Sequence, residues 1–474
     1  MKISEIKELV KNNNIKSYEL EEFVFENMFN SDEEKFKEAI EIAENIRAEI
    51  IEEELAITLD KIKDSDKYKE KDFINTAKLK DETIIKGTEL KIGTAKIPLS
   101  VAGPVKLRFS CNNEEKEFYI PIATNEAALV AGLNRGFKAI NKAGGISTSV
   151  IYNGMTRAPL LEASDLFSAQ RFANDINNGK YNKLFSSIVE TSAEFTRFMD
   201  AKAFQVQNKI WLRLRFDTGE AMGMNSAVKY SSLILKELLD QKKHPELKDI
   251  KLLALSGNLC CDKKAAMINI TEGRGYKAEA VIIISKEIIK EVFGTTPEKI
   301  IKLNFWKNQF GSSLAGSLTG LNANSSNTIA GIFAATGQDL AQVVESSTCF
   351  TFAAPAPPQY KGALKFSVTL PCLEIGTTGG GTGFGTSKEA LNIIFEQFKP
   401  EEICAKNRKE ISNKKSIEDL DRYINNKKAS NPKTQLFAQL IAASVLAQEL
   451  NLLAALTNEY ELCSSHMRLA RGET

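Results

Sequence analysis

Asp262, Lys263 and Lys264 stand together in LSGNLCCDKKAA, Leu255 to Ala266, inside an otherwise small and apolar run. Paired ammonium groups suit an anion, or a reaction that develops negative charge on one atom. Cys260 and Cys261 beside a carboxylate would instead suit a metal. The histidine inventory speaks against metal: only His244 and His466 exist, so a zinc centre would lack its usual nitrogen ligands. The two cysteines read as buried thiols, and no metal site is expected. His244, in DQKKHPELKD, reads as a surface-loop residue; His466, in ELCSSHMRLARGET, lies in the C-terminal tail, where a histidine is usually idle.

Acids and glycines supply the other candidates. Glu126 after PIAT and Asp339 in ATGQDLAQVV both read as acids opening a helix, where the dipole favours a carboxylate with or without function. Glycine, alanine and serine crowd Asp339, and GSSLAGSLTGLNANSSN upstream has the texture of helices packed closely around a site. TLPCLEIGTTGGGTGFGTSKEALNIIFEQF reads as strand, glycine loop and helix, with Gly379, Gly380 and Gly381 ahead of a helix capped at Ser387. Such glycines let backbone N–H groups approach a pyrophosphate at a helix N-terminus. The spacing is not G-x-G-x-x-G, so a plain tight turn explains this loop equally well. GEAMGMN, Gly219 to Asn225, is a second glycine site opening a helix, with close packing as its simpler explanation.

The elements that must position these residues follow from length and texture. A chain of 474 residues suggests roughly two to four domains. With 62 basic and 61 acidic residues there is no global field to attract nucleic acid or an acidic membrane, which leaves a small molecule as the default partner. The start, MKISEIKELVKNNN, lacks the apolar core of a secretory signal, and no window offers the roughly 18 uninterrupted apolar residues of a membrane span. Seven scattered cysteines without C-x-x-C spacing fit a reducing compartment. A cytoplasmic protein is expected.

Residues 1–85 are rich in Lys and Glu. Ser31 with Glu34 forms a capping box ahead of Phe36, Ile40, Ala43, Ile46 and Ile50, an apolar face at helical spacing. From residue 86, β-branched runs with Gly and Pro alternate with helical stretches, which implies layered strands and helices. The polar, lysine-rich segment from Cys404 to Lys433 reads as a solvated helix with flanking loops; it precedes a last apolar helix, TQLFAQLIAASVLAQELNLLAALT.

Taken in order, IPIATNEAALVAGLNRGFKAI, NGMTRAP, GEAMGMN, SGNLCCDKKAAMINITEGRGY, KNQFGSSLAGS, ATGQDLAQ, EIGTTGGGTGFG and SSHM resemble the 3-hydroxy-3-methylglutaryl-coenzyme A (HMG-CoA) reductases. The AMGMN and DKKAA forms resemble the class of eukaryotes and archaea, class I. The resemblance covers about residues 86 to 470 and implies an α+β, α/β multidomain fold. Its parts are a helical N-terminal domain (1–85), a discontinuous large domain around a long central helix (86–158 and 255–474), and an inserted small ferredoxin-like dinucleotide-binding domain (159–254). It implies a homodimer or homotetramer with active sites between subunits, and no membrane anchor.

The implied reaction reduces a thioester to an alcohol with two nicotinamide hydrides, giving mevalonate and coenzyme A, the committing step of isoprenoid biosynthesis. Lys263 matches the catalytic lysine that meets the oxyanion. Glu126 matches the proton donor, a role suited to a carboxyl kept protonated by burial or a nearby acid. Asp339 matches the aspartate coupling the two, and His466 the histidine that protonates the departing thiolate. Arg157, Ser256, Asp262, Lys264, Lys307 and Asn327 match contacts to the hydroxymethylglutaryl part, and Asn134 and Arg135 contacts on the coenzyme A side. Met222, Gly223, Met224 and Asn225, with Gly379, Gly380 and Gly381, match the dinucleotide site.

The sequence departs from the family pattern in places. Asn324 replaces a histidine, Val343 an asparagine and Asn153 an aspartate, while Gly472 occupies the place of a tail serine phosphorylated in animal members. Ala193-Glu194-Phe195 aligns with a Ser-Arg-Phe whose first two residues hold the 2′-phosphate of NADPH. Glu194 reverses the charge there, so NADH is expected to be favoured over NADPH. A reductase of another acyl-CoA thioester and a non-catalytic binding protein are the rival readings.

Overall fold

The computed structural model describes residues 1–12, 14–15, 19–32, 35–55, 75–79, 82–86, 95–108, 115–317, 319–395, 431–458 and 461. Contacts divide the chain into two bodies, Met1–Pro98 with Gly383–Gly385, and Leu99–Thr382 with Thr386–Thr474.

The first body contains helices α1 (Ile3–Lys11), α2 (Leu20–Phe29) and α3 (Phe36–Leu55). Their apolar positions meet in a small core of Ile6, Leu20, Val24, Ala39, Ala43 and Ile46, which is the burial expected of a helical stripe. The expected capping box takes a different form: Ser31 has φ 61° and follows the left-handed Asn30 that ends α2, while Glu34 lies outside the described residues. A departure from the all-helical expectation comes at the end of this region. Strands β1 (Asn75–Leu79) and β2 (Glu82–Lys86) pair antiparallel, from Asn75↔Lys86 to Leu79↔Glu82. Thr83, Ile84 and Ile85 are β-branched and favour the extended chain.

The second body is organised by strand β5 (Ile146–Arg157), which serves two sheets. Its residues 147–154 run antiparallel to β10 (Gly275–Ile284), and its residues 155–157 pair with β8 (Lys209–Asp217). On the first side β10 is followed by β13 (Leu364–Leu373), β12 (Cys349–Pro355) and β11 (Gly320–Leu321). There β3 (Leu99–Arg108) lies beside β5 and pairs with β4 (Glu115–Ala123). On the second side the order is β7 (Arg197–Val206), β8, β6 (Leu160–Ala163) and β9 (Ile250–Ala254), all antiparallel.

Each side has its own core. In β8 the alternation of Ile210, Leu212, Leu214 and Phe216 buries one face. That face packs against α5 (Leu166–Asn177), α6 (Asn182–Ser192) and α7 (Met224–Leu238). Helix α5 starts where it does because the Asp165 carboxylate accepts from the N–H groups of Phe167 and Ser168.

The larger core surrounds the 25-residue helix Pro432–Leu456, in which Leu436, Phe437, Leu440, Ile441, Val445, Leu446, Leu450 and Leu453 are buried. A helix apolar on all sides belongs inside a core or a membrane. Among the described residues this is the one helix long and apolar enough to span a bilayer, which the absence of an uninterrupted apolar run had not led us to expect; 83% of its apolar window is buried in the fold. Helix α4 (Leu129–Lys142) lies so close to it that a Cβ on Gly136 would fall 2.3 Å from the Ala447 carbonyl oxygen.

Two expected helix starts are displaced. Glu126 does not open α4: the N–H of Glu126 donates to Thr124 Oγ1 at 3.0 Å, and the left-handed Ala128 (φ 70°) precedes the first helical residue. Ser387 is not a cap either. It is buried within helix α8 (Gly385–Phe395), which follows directly on the tight turn Gly380–Gly383.

Candidate active site

The loop after β9 carries Ser256, Asp262, Lys263 and Lys264. It coils tightly, with Asn258, Cys261 and Lys263 at φ 64°, 50° and 59°, a left-handed conformation that non-glycine residues adopt at a cost of about 1–3 kcal/mol each. Anchors from neighbouring strands sustain it: the Gly257 N–H donates to the Ala158 carbonyl at 2.7 Å, and Trp211 Nε1–H to the Gly257 carbonyl at 2.8 Å. The coil presents Lys263 to Asp339, with Nζ 2.9 Å from Oδ2. That hydrogen bond is the main reason the lysine ammonium is held above its ordinary value, so Lys263 stays cationic through neutral pH. Asp339 is itself oriented, because its Oδ1 accepts from the Ala341 N–H at 3.0 Å. The expectation of a helix-start acid holds there, on a short 3-10 turn.

Beside this pair, Asp262 Oδ1 accepts from Gln342 Nε2 and from Arg274, both at 2.9 Å, and Arg157 lies 4.0 Å from Asp262 Oδ2. Lys264 Nζ folds back on the Asp262 carbonyl at 3.0 Å, and Ser256 Oγ lies 3.9 Å from Cys260 Sγ. Among the described residues no cluster of three or more metal-ligating groups occurs, and Cys260, Cys261, Cys349 and Cys372 are free thiols.

Glu126 belongs to a second cluster. Both its carboxylate oxygens accept from Asn327 Nδ2, at 2.9 and 2.8 Å, in the first turn of helix Ser325–Thr336. Within one chain Glu126 is exposed, so the burial suited to a protonated carboxyl does not come from its own fold. The backbone just before that helix is pinned by Glu449 of the central helix, whose carboxylate accepts from the N–H groups of Ala323 and Asn324 and from Thr351 Oγ1. Burial pushes the Glu449 carboxyl up, and the Lys307 charge opposes this. Lys307 lies on a π-helical segment, Asn304–Gly311, a geometry frequent at functional sites. Asn134 and Arg135 are engaged elsewhere. Asn134 Oδ1 accepts from the Gly103 N–H at 2.8 Å; Arg135 pairs with Glu461, donates to the Val292 carbonyl and stacks over Phe293.

The two glycine loops meet. Gly223, at φ 90°, caps α7, so Met222, Gly223, Met224 and Asn225 lie at a helix N-terminus, the setting anticipated for them. A Cβ on Gly376 would fall 2.3 Å from the Met222 nitrogen, and the Thr377 N–H donates to the Glu220 carbonyl at 2.8 Å. Glu220 also accepts from the Thr434 N–H at 2.8 Å and the Lys433 N–H at 3.0 Å, tying this junction to the start of the central helix. Gln338, next to Asp339, clamps Gly376 through two hydrogen bonds of 2.9 and 3.0 Å. Gly379 and Gly380 have φ 79° and 57° with open space where a Cβ would point, whereas Gly381 packs on Gly337. Open space over glycines beside a helix N-terminus suits a dinucleotide pyrophosphate. Glu194 is exposed in the turn after α6, where Arg197 donates to its carbonyl at 3.1 Å; the neighbouring Phe195 borders Gly219 of the first glycine loop.

His466 and the segment 404–430 lie outside the described residues. His244 stands at a surface turn but is half-buried, edge-on to Tyr181 with ring centroids 6.4 Å apart. Sequence reasoning did not single out Arg274, Glu345, Glu374, Glu220, Gln338 or Glu449. The available signal for Arg274 was a charge between two glycines, immediately ahead of the apolar strand GYKAEAVIII.

The family described as hydroxymethylglutaryl-coenzyme A reductase matches residues 45–471. The 3-hydroxy-3-methylglutaryl-coenzyme A reductase of Pyrococcus abyssi is 36% identical over 99% of this chain and 100% of its own length. That of Aeropyrum pernix is 39% identical over 81% of this chain and 82% of its own. Among solved structures, the Streptococcus pneumoniae 3-hydroxy-3-methylglutaryl-coenzyme A reductase superposes with a TM-score of 0.53 at 18% identity, over 78% of this chain and 77% of that one, a likeness of fold. With the lysine–aspartate pair beside two joined glycine loops, and the match running through nearly the whole chain, the protein belongs to the hydroxymethylglutaryl-coenzyme A reductase family.

Proposed function

We propose that the protein reduces HMG-CoA to mevalonate and free coenzyme A, consuming two reduced nicotinamide cofactors and two protons. The nicotinamide group supplies hydride. The chain's residues manage charge and protons. Each reduction places negative charge on the former carbonyl oxygen, and Lys263 meets it with a fixed cation that Asp339 orients. A preorganised charge of this kind is worth on the order of 3–4 kcal/mol in the transition state. Glu126, held by Asn327, delivers the proton to that oxygen. His466, as imidazolium, protonates the leaving thiolate; an imidazole pKa near ~6.5 against a thiol near ~8.5 makes the transfer downhill. Arg157, Ser256, Asp262, Lys264 and Lys307 hold the hydroxymethylglutaryl part, and Asn134 and Arg135 serve the coenzyme A side.

The observation that carries this reading is the Lys263–Asp339 contact of 2.9 Å, one residue from the Gln338 clamp on the glycine junction. Met222 to Asn225 and Gly379 to Gly381 would hold the dinucleotide. One Streptococcus pneumoniae relative is described as bound to NADPH; for this chain the acidic Glu194 favours NADH. The three separate hydrophobic cores support a three-domain organisation, and the strand order β9-β6-β8-β7 supports a ferredoxin-like small domain. Exposed Phe305, Trp306, Phe310 and Leu314 flank Lys307 and support a homo-oligomer whose partner covers Glu126 and Lys263. The AMGMN and DKKAA forms support class I, and the buried central helix supports a soluble, cytoplasmic enzyme.

Absorbance at the nicotinamide band tests the function. Two cofactors oxidised per mevalonate formed is the expected stoichiometry; silence with both NADH and NADPH would refute it. Turnover confined to another acyl-CoA would favour a different reductase.

A further inference from the structure

Behind the site, Arg274 is completely buried and uses its guanidinium on every side. Its Nη1 donates to the Thr156 carbonyl and hydroxyl at 2.9 and 2.7 Å, one residue from Arg157. Its Nη2 donates to Asp262 Oδ1 at 2.9 Å and lies 3.6 Å from the Met224 sulfur, in the first glycine loop. Its Nε faces Glu345 at 3.2 Å and Glu374 at 3.1 Å, the latter two residues ahead of Gly376. One side chain thus touches the HMG-side loop, the strand end bearing Arg157 and the stems of both glycine loops.

We propose that Arg274 is a positioning residue that joins the substrate-carboxyl site to the dinucleotide site, aligning Asp262 and Met224 from a seat between Glu345 and Glu374. The inference rests on the reductase reading for what the two sites bind, and on geometry for their connection. A guanidinium has five N–H donors in a fixed plane, and an ammonium cannot reproduce the fork.

The seat is also charge-sensitive. Glu345 Oε2 and Glu374 Oε2 accept no hydrogen bond among the described residues, and both carboxyls are completely buried. Burial pushes Glu345 up to about 8 and Glu374 up to about 7. The other charged or titratable groups facing them are Asp262 and Lys263 from the loop, Arg213 from β8, and Cys260 and Cys372 beside them. Raising the pH through that range ionises Glu345 and Glu374, which then compete with Asp262 for Arg274.

Two variants of the full chain test this. Arg274→Lys should raise KM for HMG-CoA and for the nicotinamide cofactor together, each by tenfold or more, and weaken NADH binding measured by nicotinamide fluorescence without substrate. A loss confined to kcat, or both affinities within threefold of the unmodified protein, would overturn the proposal. Glu345→Gln, which keeps shape and removes one ionisation, should move the alkaline limb of kcat/KM for mevaldehyde reduction upward by at least half a pH unit; an unmoved or absent limb would overturn it. If Arg274→Lys does not fold, this second variant decides. Should the unmodified protein bind NADH but not reduce HMG-CoA, the functional reading fails while the fluorescence arm still judges Arg274.

Discussion

The proposed preference for NADH rests on Glu194, and its expected size follows from the surroundings of that residue. The residue is exposed in the turn after α6, so its interactions run through water. A carboxylate about 5 Å from a phosphate bearing about two negative charges is repelled by about 1.7 kcal/mol at the dielectric constant of water. Screening at physiological salt, with a Debye length of about 8 Å, reduces this to about 0.9 kcal/mol, or about fivefold against NADPH. Reversing the charge with Glu194→Arg doubles the swing to about 1.8 kcal/mol, about 20-fold in the ratio of kcat/KM for NADPH to that for NADH. Adding Ala193→Ser contributes a phosphate hydrogen bond worth about 1 kcal/mol, for a total of roughly 100-fold. Arg197 tempers the effect, because its guanidinium donates to the carbonyls of Glu194 and Thr196 and so already lies in this turn. The assay is steady-state kinetics with both cofactors at low and high salt, and the shift should shrink as salt rises. An unmodified enzyme that favours NADPH tenfold or more, or a Glu194→Arg ratio within twofold of the original at low salt, would refute the reasoning.

Lys263→Ala should lower kcat for both HMG-CoA and mevaldehyde by at least 100-fold with small changes in KM, since the oxyanion forms in both reductions; activity within tenfold would remove Lys263 from the chemistry. His466→Ala should slow thioester reduction and spare mevaldehyde, which has no thiolate to protonate, as single-substrate rates with each compound will show. Gly136→Ala gains about 1 kcal/mol of helix propensity but forces a methyl against the Ala447 backbone, where overpacking costs about 1–3 kcal/mol. Backbone cannot rotate away as a side chain can, so a lower Tm in calorimetry is expected and a higher one would contradict the contact.

Much of the fold was legible along the chain. The alternation in β8, the stripe on α3 and the predominantly apolar central helix are local patterns, and each element forms where its pattern lies. The lysine–aspartate pairing was legible only through the resemblance, because nothing local links positions 263 and 339. Helix starts were read less well: at Glu126 a hydrogen bond to Thr124 and a left-handed Ala128 delay the helix, and neither leaves a mark in residue type. The hairpin of residues 75–86 was hidden within a charged stretch whose composition suggested helix.

By itself the sequence determined which residue types could do chemistry and the order of the elements that carry them, because these depend on neighbours in the chain. Only the tertiary structure decided that Glu220 ties two glycine loops to the start of the central helix, that Glu449 pins the backbone ahead of Asn327, and that Arg274 reaches Asp262 and Met224 at once. These contacts join groups as many as 214 residues apart. A buried polar group must find its partner wherever the fold brings one, and that requirement has no period to read in the chain.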